Sequence, residues 1–294
     1  MQFQVATELK YEVPQRSTVI LNVHALETPG QQVVREHFHL EPRVQREEFL
    51  SVSGENRLVR LDTGNAKELT VTYSATVETR PQVVRQRDIE SVAIARLPRQ
   101  VISYLFPSRY CQSDRLGRLA WGKFGGIART YERVVAIAEW IHGNVEYLRG
   151  ETDTATSAFD TVTQRAGVCR DFAHLGIALC RALSIPARYF SGYAHQLQPP
   201  DFHACFEAFI GSQWYVFDPT QLAPLNGLVR IAMGRDAADA SIATIFGSAC
   251  CRQMKVSAEC LDRAFSPLTQ RQLKHKGVAL DPPEVVGTDS KMVP

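Results

Sequence analysis

No run of apolar residues comes near the roughly 20 that would cross a bilayer as a helix. An excess of one charge is also missing. Lys and Arg number 33 against 31 Asp and Glu, a formal net charge of +2. Neither a nucleic-acid wrapper nor a binder of acidic partners is implied. The seven cysteines include no CxxC pair, and an odd count suits neither a disulfide framework nor a zinc ribbon. There is no glycine-rich phosphate loop and no carboxylate cluster of the calcium-binding kind. The expectation is a protein with no metal, no cofactor, no membrane and no nucleic-acid partner. The stretch Met1 to Glu8 lacks the basic start and apolar run of a secretory signal. Reduced thiols and a cytoplasmic location are therefore expected.

What is present fits a globular chain. The 294 residues are 45% hydrophobic and 22% charged, enough for one large core or two domains. Residues 1–95 read as all-β. Val19, Leu21 and Val23 alternate with Ile20, Asn22 and His24, and Leu69, Val71 and Tyr73 alternate with Thr70, Thr72 and Ser74. Turn signals at Pro29-Gly30, Gly54 to Asn56 and Gly64-Asn65 suggest a small β-sandwich. His37 and His39 fall on one face of a strand, as a metal site requires. With no third ligand nearby in sequence, a polar strand face is the preferred reading.

From Ile127 the period changes. Tyr131, Val134, Val135, Ala138, Ile141, Val145 and Leu148 recur every three to four residues, which predicts an amphipathic helix. A second helix is expected over 168–183, with Phe172, Leu175, Leu179 and Leu183 on one stripe and Pro186 just past its end. Strand-like runs follow at 187–193, 202–210, 213–217 and 228–233. Helices followed by strands, without alternation, read as α+β. The division expected is a β-domain over 1–95, a catalytic core over 96–265 and a loosely ordered tail over 266–294.

Two segments carry chemistry. In Gly167-Val-Cys-Arg-Asp, Cys169 opens a helix. The positive end of the helix dipole and the unpaired N–H groups there favour a thiolate. Taken alone, this segment fits a small buried residue equally well. Cys180, three turns deeper, reads as core. The second segment runs from Phe202 to Thr220, with Gly211-Ser212 as a two-residue hairpin turn. If Ile210 pairs with Gln213, Cys205 faces Asp218, and His203 and Asp218 are diagonal neighbours on one face. A three-residue turn would put them on opposite faces. A carboxylate beside His203 would hold the imidazole in one tautomer while its other nitrogen meets a thiol.

Cys, His and Asp in that order resemble the papain-like arrangement. The segments Arg165-Ala-Gly-Val-Cys-Arg-Asp-Phe-Ala-His, Ile185-Pro-Ala-Arg-Tyr-Phe-Ser-Gly-Tyr, His203-Ala-Cys-Phe-Glu and Trp214-Tyr-Val-Phe-Asp-Pro-Thr narrow the resemblance. They are similar to the transglutaminase-like core, and the chain resembles bacterial transglutaminase-like cysteine proteases. The resemblance implies an N-terminal β-domain before a papain-like core. It also implies Cys169 as nucleophile, His203 as general base and Asp218 as the orienting carboxylate. Many relatives carry Trp where Cys205 stands, so the cleft beside the base differs here. The implied activity is amide hydrolysis through a thioester, with a peptide or protein as substrate. The alternatives are acyl transfer from glutamine to an amine, or a catalytically silent peptide-binding module. For the oxyanion, the Cys169 N–H and the side chain of Gln164 are candidate donors. The segment 104–114 is expected to pack rather than react. Gly234 to Asp239 reads as a turn near the cleft; a plain polar turn is the preferred reading, and contact of Arg235 or Asp236 with substrate is the alternative. Cys250 and Cys251 point to opposite sides of a strand.

Overall fold

The computed structural model describes residues 1–283. The elements in chain order are β1 (Gln2–Glu12), β2 (Thr18–Leu21), β3 (Gln31–Glu41), β4 (Gln45–Leu50), β5 (Arg57–Asp62), β6 (Glu68–Thr79) and β7 (Gln82–Arg85). Next are α1 (Ser113–Phe124), α2 (Thr130–Asn144), β8 (Glu146–Tyr147), α3 (Ala158–Gln164), β9 (Ala166–Gly167) and α4 (Cys169–Ala182). The chain continues with β10 (Ala187–Ala194), β11 (Phe202–Ile210), β12 (Gln213–Phe217), β13 (Leu228–Gly234), β14 (Ala243–Phe246), β15 (Cys250–Cys260) and β16 (Lys276–Ala279). The class is α+β, with an N-terminal β-domain preceding a core of helices and an antiparallel sheet.

Two four-stranded sheets make up the β-domain, in the orders β15-β1-β6-β3 and β14-β2-β5-β4. Alternation drives them. Phe3, Val5, Leu9 and Tyr11 of β1 are buried, and so are Val19 and Leu21 of β2; all belong to one continuous core. The second unit is the antiparallel sheet β12-β11-β10-β13 with α4 packed against it. Here the fit is tight: a Cβ added at Gly176 of α4 would lie 2.4 Å from the Phe206 ring of β11.

Three expectations need correction. The helix from Ile127 ends at Asn144, because Glu146 and Tyr147 leave it to pair in parallel with Ala166 and Gly167. The core does not run unbroken to residue 265. β14 pairs with β2 and β15 with β1, so residues 243–260 complete the sheets of the β-domain. The part of the tail that is described is ordered: β16 pairs with β7, and Asp281 reaches into the molecule. Residues 284–294 of the expected tail lie outside the described residues. The helix α1 was not anticipated, although Leu116, Ala120 and Phe124 form its buried stripe.

A buried ionic chain joins the two halves. Glu207 of β11 accepts from Arg188 at 2.7 Å and from Arg230 at 2.5 Å. Arg230 also pairs with Asp281, which accepts from Thr28 Oγ1 at 2.5 Å and the Gly30 N–H at 3.0 Å.

Candidate active site

The helix α4 begins at Cys169, after an extended Val168. Its start is fixed by Asp171, which is fully buried. One carboxylate oxygen of Asp171 accepts from the Val168 N–H at 2.9 Å and from Thr152 Oγ1 at 2.7 Å; the other accepts from Arg170 Nε at 3.0 Å. Gly167 is required by this packing, since a Cβ there would stand 2.7 Å from the Asp171 Cβ. Cys169 is thus held at the helix N-terminus, partly exposed, with first-turn N–H groups that have no acceptor within the helix.

The hairpin β11–β12 brings the other two residues together. Ile210 pairs with Gln213 and Phe206 with Phe217, so the turn is the two-residue one, with Gly211 in the left-handed region at φ +69°. His203 Nε2 lies 2.8 Å from Asp218 Oδ2, and both side chains are buried. The other Asp218 oxygen accepts from the Thr220 N–H at 2.9 Å and from Thr220 Oγ1 at 2.7 Å. With Nε2 engaged by Asp218, Nδ1 is the ring nitrogen left for a thiol, and the Cys169 side chain is near enough to favour the charged ring. Burial works against a charge on His203. The neighbouring Asp218, with its hydrogen bond, outweighs burial and holds the imidazole well above its usual pKa. For Asp218, burial raises the carboxyl, but the imidazolium and the Thr220 donors leave it below the usual range.

Two residues beside this couple were not singled out as donors or ligands from the sequence. Cys205 is fully buried, and its thiol also contacts His203; burial, then the Asp218 charge, pushes it up to about 12. Tyr147 stands across from Gly167 in the β8–β9 pair, two residues before Cys169. Its phenol is raised by burial and by the nearby Cys169 charge, while Arg149 and His203 act in the opposite sense. It was hidden because the helical period of Tyr131 to Leu148 runs through it. Arg149 in turn pairs with Asp201 at 3.3 Å, two residues before His203, so the rim carries one charge of each sign.

The other sequence candidates lie elsewhere. Gln164 is the exposed last residue of α3, and none of its described contacts reaches His203 or Cys169. Arg235 pairs with Asp239 at 2.9 Å. Asp236 is buried and accepts from the Tyr110 N–H at 2.8 Å, which ties the 104–114 segment to the core. Cys111 and Cys180 are buried, and burial raises both thiols. His37 and His39 stack at 6.3 Å on the exposed side of β3. Cys250 and Cys251 are exposed on β15.

Comparison with known proteins adds three kinds of match. The family model described as bacterial transglutaminase, N-terminal domain, matches residues 1–100, and the transglutaminase-like superfamily model matches residues 119–219. Among solved structures, one titled a "putative cysteine protease" from Cytophaga hutchinsonii is 52% identical, with a TM-score of 0.92 over 96% of this chain and 98% of that one. An uncharacterised protein of Mycobacterium leprae is 34% identical over 190 residues, 58% of this chain. The match spans 65% of the length of that relative.

Proposed function

This chain belongs to the transglutaminase-like superfamily, and from that premise we propose that it is a thiol-dependent amide hydrolase, a cysteine protease with Cys169 as nucleophile. The observation that carries the reading is the buried His203–Asp218 hydrogen bond at 2.8 Å, with the same imidazole near a thiol at a helix N-terminus. Free buried cysteines and satisfied histidines are common separately. A His bonded on one side to a carboxylate and close to a partly exposed thiol on the other is the arrangement that nucleophilic catalysis uses.

The chemistry follows from the parts. The Cys169 thiolate attacks the amide carbon, and charge builds on the carbonyl oxygen. The Cys169 N–H and the Tyr147 hydroxyl are the donors suited to receive it. His203 as imidazolium protonates the leaving amine, and Asp218 stabilises that cation. The thioester then passes its acyl group to water, with His203 as base. An amine in place of water would make the enzyme a transamidase.

The test is turnover of a fluorogenic peptide library and of casein by the wild type, Cys169→Ala and His203→Ala, with a labelled amine present. New amino termini from the wild type alone, and a loss of about a thousandfold or more in His203→Ala, support the hydrolase. Amine incorporated in place of cleavage would move the reading to transamidation. Equal behaviour of the wild type and Cys169→Ala in both assays would leave a peptide-binding module.

A further inference from the structure

Cys205 has no part in the chemistry just described, yet its thiol shares a buried space with both members of the base couple. The ligand atoms of His203, Cys205 and Asp218 all lie within 4.8 Å of one another, and all three residues are buried. Among the described residues, no other group of three or more His, Cys, Asp or Glu side chains meets that condition. The hairpin register accounts for it. Continued past Phe206–Phe217, it sets Cys205 across from Asp218, next to the point where Asp218 meets His203 Nε2.

Imidazole, thiolate and carboxylate form a donor set that suits zinc and its softer neighbours. Bonds of about 2.3 Å to sulfur and 2.0–2.2 Å to nitrogen and oxygen put tetrahedral ligand atoms roughly 3.3–3.7 Å apart. The cluster, whose ligand atoms lie within 4.8 Å, is about one ångström wider than that at most. The 2.8 Å hydrogen bond between Nε2 and Oδ2 has to open, and the thiol has to close in. A fourth position is left for water.

We infer that His203, Cys205 and Asp218 form a binding site for a thiophilic divalent cation of the zinc class, and that its occupation switches the enzyme off. The inhibition rests on the hydrolase reading; the binding does not. The balance is simple. The cation takes the place of the Nε2 proton of the imidazolium, which leaves to solvent together with the Cys205 thiol proton, while Nδ1 keeps its own. The cation then bonds to the Nε2 lone pair, the Cys205 thiolate and an Asp218 oxygen. A ring that holds its single proton on Nδ1 cannot take one from Cys169. Asp218, bound to the ion, no longer supports an imidazolium. Nothing is oxidised or reduced.

The probe is cobalt(II), with zinc as competitor, added to the full chain without substrate. Serine replaces the exposed or partly exposed Cys250, Cys251 and Cys260 in every sample, which removes other thiols that could bind metal. We expect an intense sulfur-to-cobalt band at one equivalent that zinc bleaches. The band should persist in Cys169→Ser and vanish in Cys205→Ser. Zinc inhibition of turnover should weaken about tenfold or more in Cys205→Ser. A band lost with Cys169 and kept with Cys205→Ser would overturn the site, as would no band at all. A second measurement does not depend on the folding of Cys205→Ser: X-ray absorption of zinc-loaded Cys169→Ser. A sulfur neighbour at about 2.3 Å with an imidazole supports the assignment, and light atoms alone defeat it. If no peptide is ever cleaved, the cobalt band still decides the binding.

Discussion

The charge on His203 is held against its burial. Removing the Asp218 charge leaves desolvation in command, so Asp218→Asn should lower the imidazole pKa. Acylation needs the imidazolium, so the basic limb of the kcat/KM profile should move to lower pH in that variant. An unmoved limb would mean that Asp218 does not govern the base. The same linkage acts on stability. The contribution of the raised His203 pKa is complete below the unfolded value of about 6.5 and fades as pH rises through the folded value. Tyr147→Phe should lower kcat by about 10²–10³ with KM little changed, if its hydroxyl receives charge that exists only in the transition state. A KM effect alone would assign Tyr147 to ground-state binding. At this scale the sequence was informative where chemistry and spacing coincide. Cys169 at a helix start, and His203 and Asp218 around a two-residue turn, were readable as a set. Tyr147 was not, because an aromatic at helical spacing looks like core. The place of Cys205 opposite Asp218 was legible in the register, but the approach of its thiol to His203 was not, because that depends on how the buried side chains pack.

The elements hold the thiol and the base at their distance through one close contact. α4 rests on β11 where Gly176 meets Phe206, and a methyl group added there would sit 2.4 Å from the ring. Gly176→Ala should cost about 1–3 kcal/mol of stability in urea unfolding. It should also slow iodoacetamide alkylation of Cys169 by moving the helix away from His203. The double variant with Phe206→Leu should recover much of both. If Gly176→Ala alone left both measurements unchanged, helix and strand would not be in the contact described. The bounds of β11 and β12 agree with the expected 202–210 and 213–217, since alternation, Gly211 and Pro219 all mark the same ends. The end of α2 was missed for a physical reason. Val145 and Leu148 continue its apolar period, but pairing with Ala166 and Gly167 draws residues 146–147 into a strand.

In the whole molecule, Glu207 is the junction on which Arg188 and Arg230 depend, and Asp281 supports only the outer end. Glu207→Gln would leave the buried Arg188 facing a neutral amide and Arg230 with Asp281 as its remaining carboxylate, at a cost of about 3–5 kcal/mol. Asp281→Ala should cost less, about 1–3 kcal/mol, because Arg230 keeps Glu207. Chemical denaturation of both checks the order, and a larger loss in Asp281→Ala would reverse it. No local pattern announced this chain of charges, because its members are scattered from Thr28 to Asp281. For the same reason the return of residues 243–260 to the first sheets was not legible. β15 alternates like any strand, and nothing in its sequence names β1 as its neighbour.

That return sets an order of events at the ribosome. β1 lies between β6 and β15, so its second side has no partner when the first six strands have emerged. At about 5–20 residues per second, translation needs roughly nine to thirty-six seconds more to deliver β15. Through that interval the nascent chain carries a bare sheet edge, the kind that other chains pair with. A message cut short within the catalytic region would therefore yield an adhesive fragment rather than a smaller working protein.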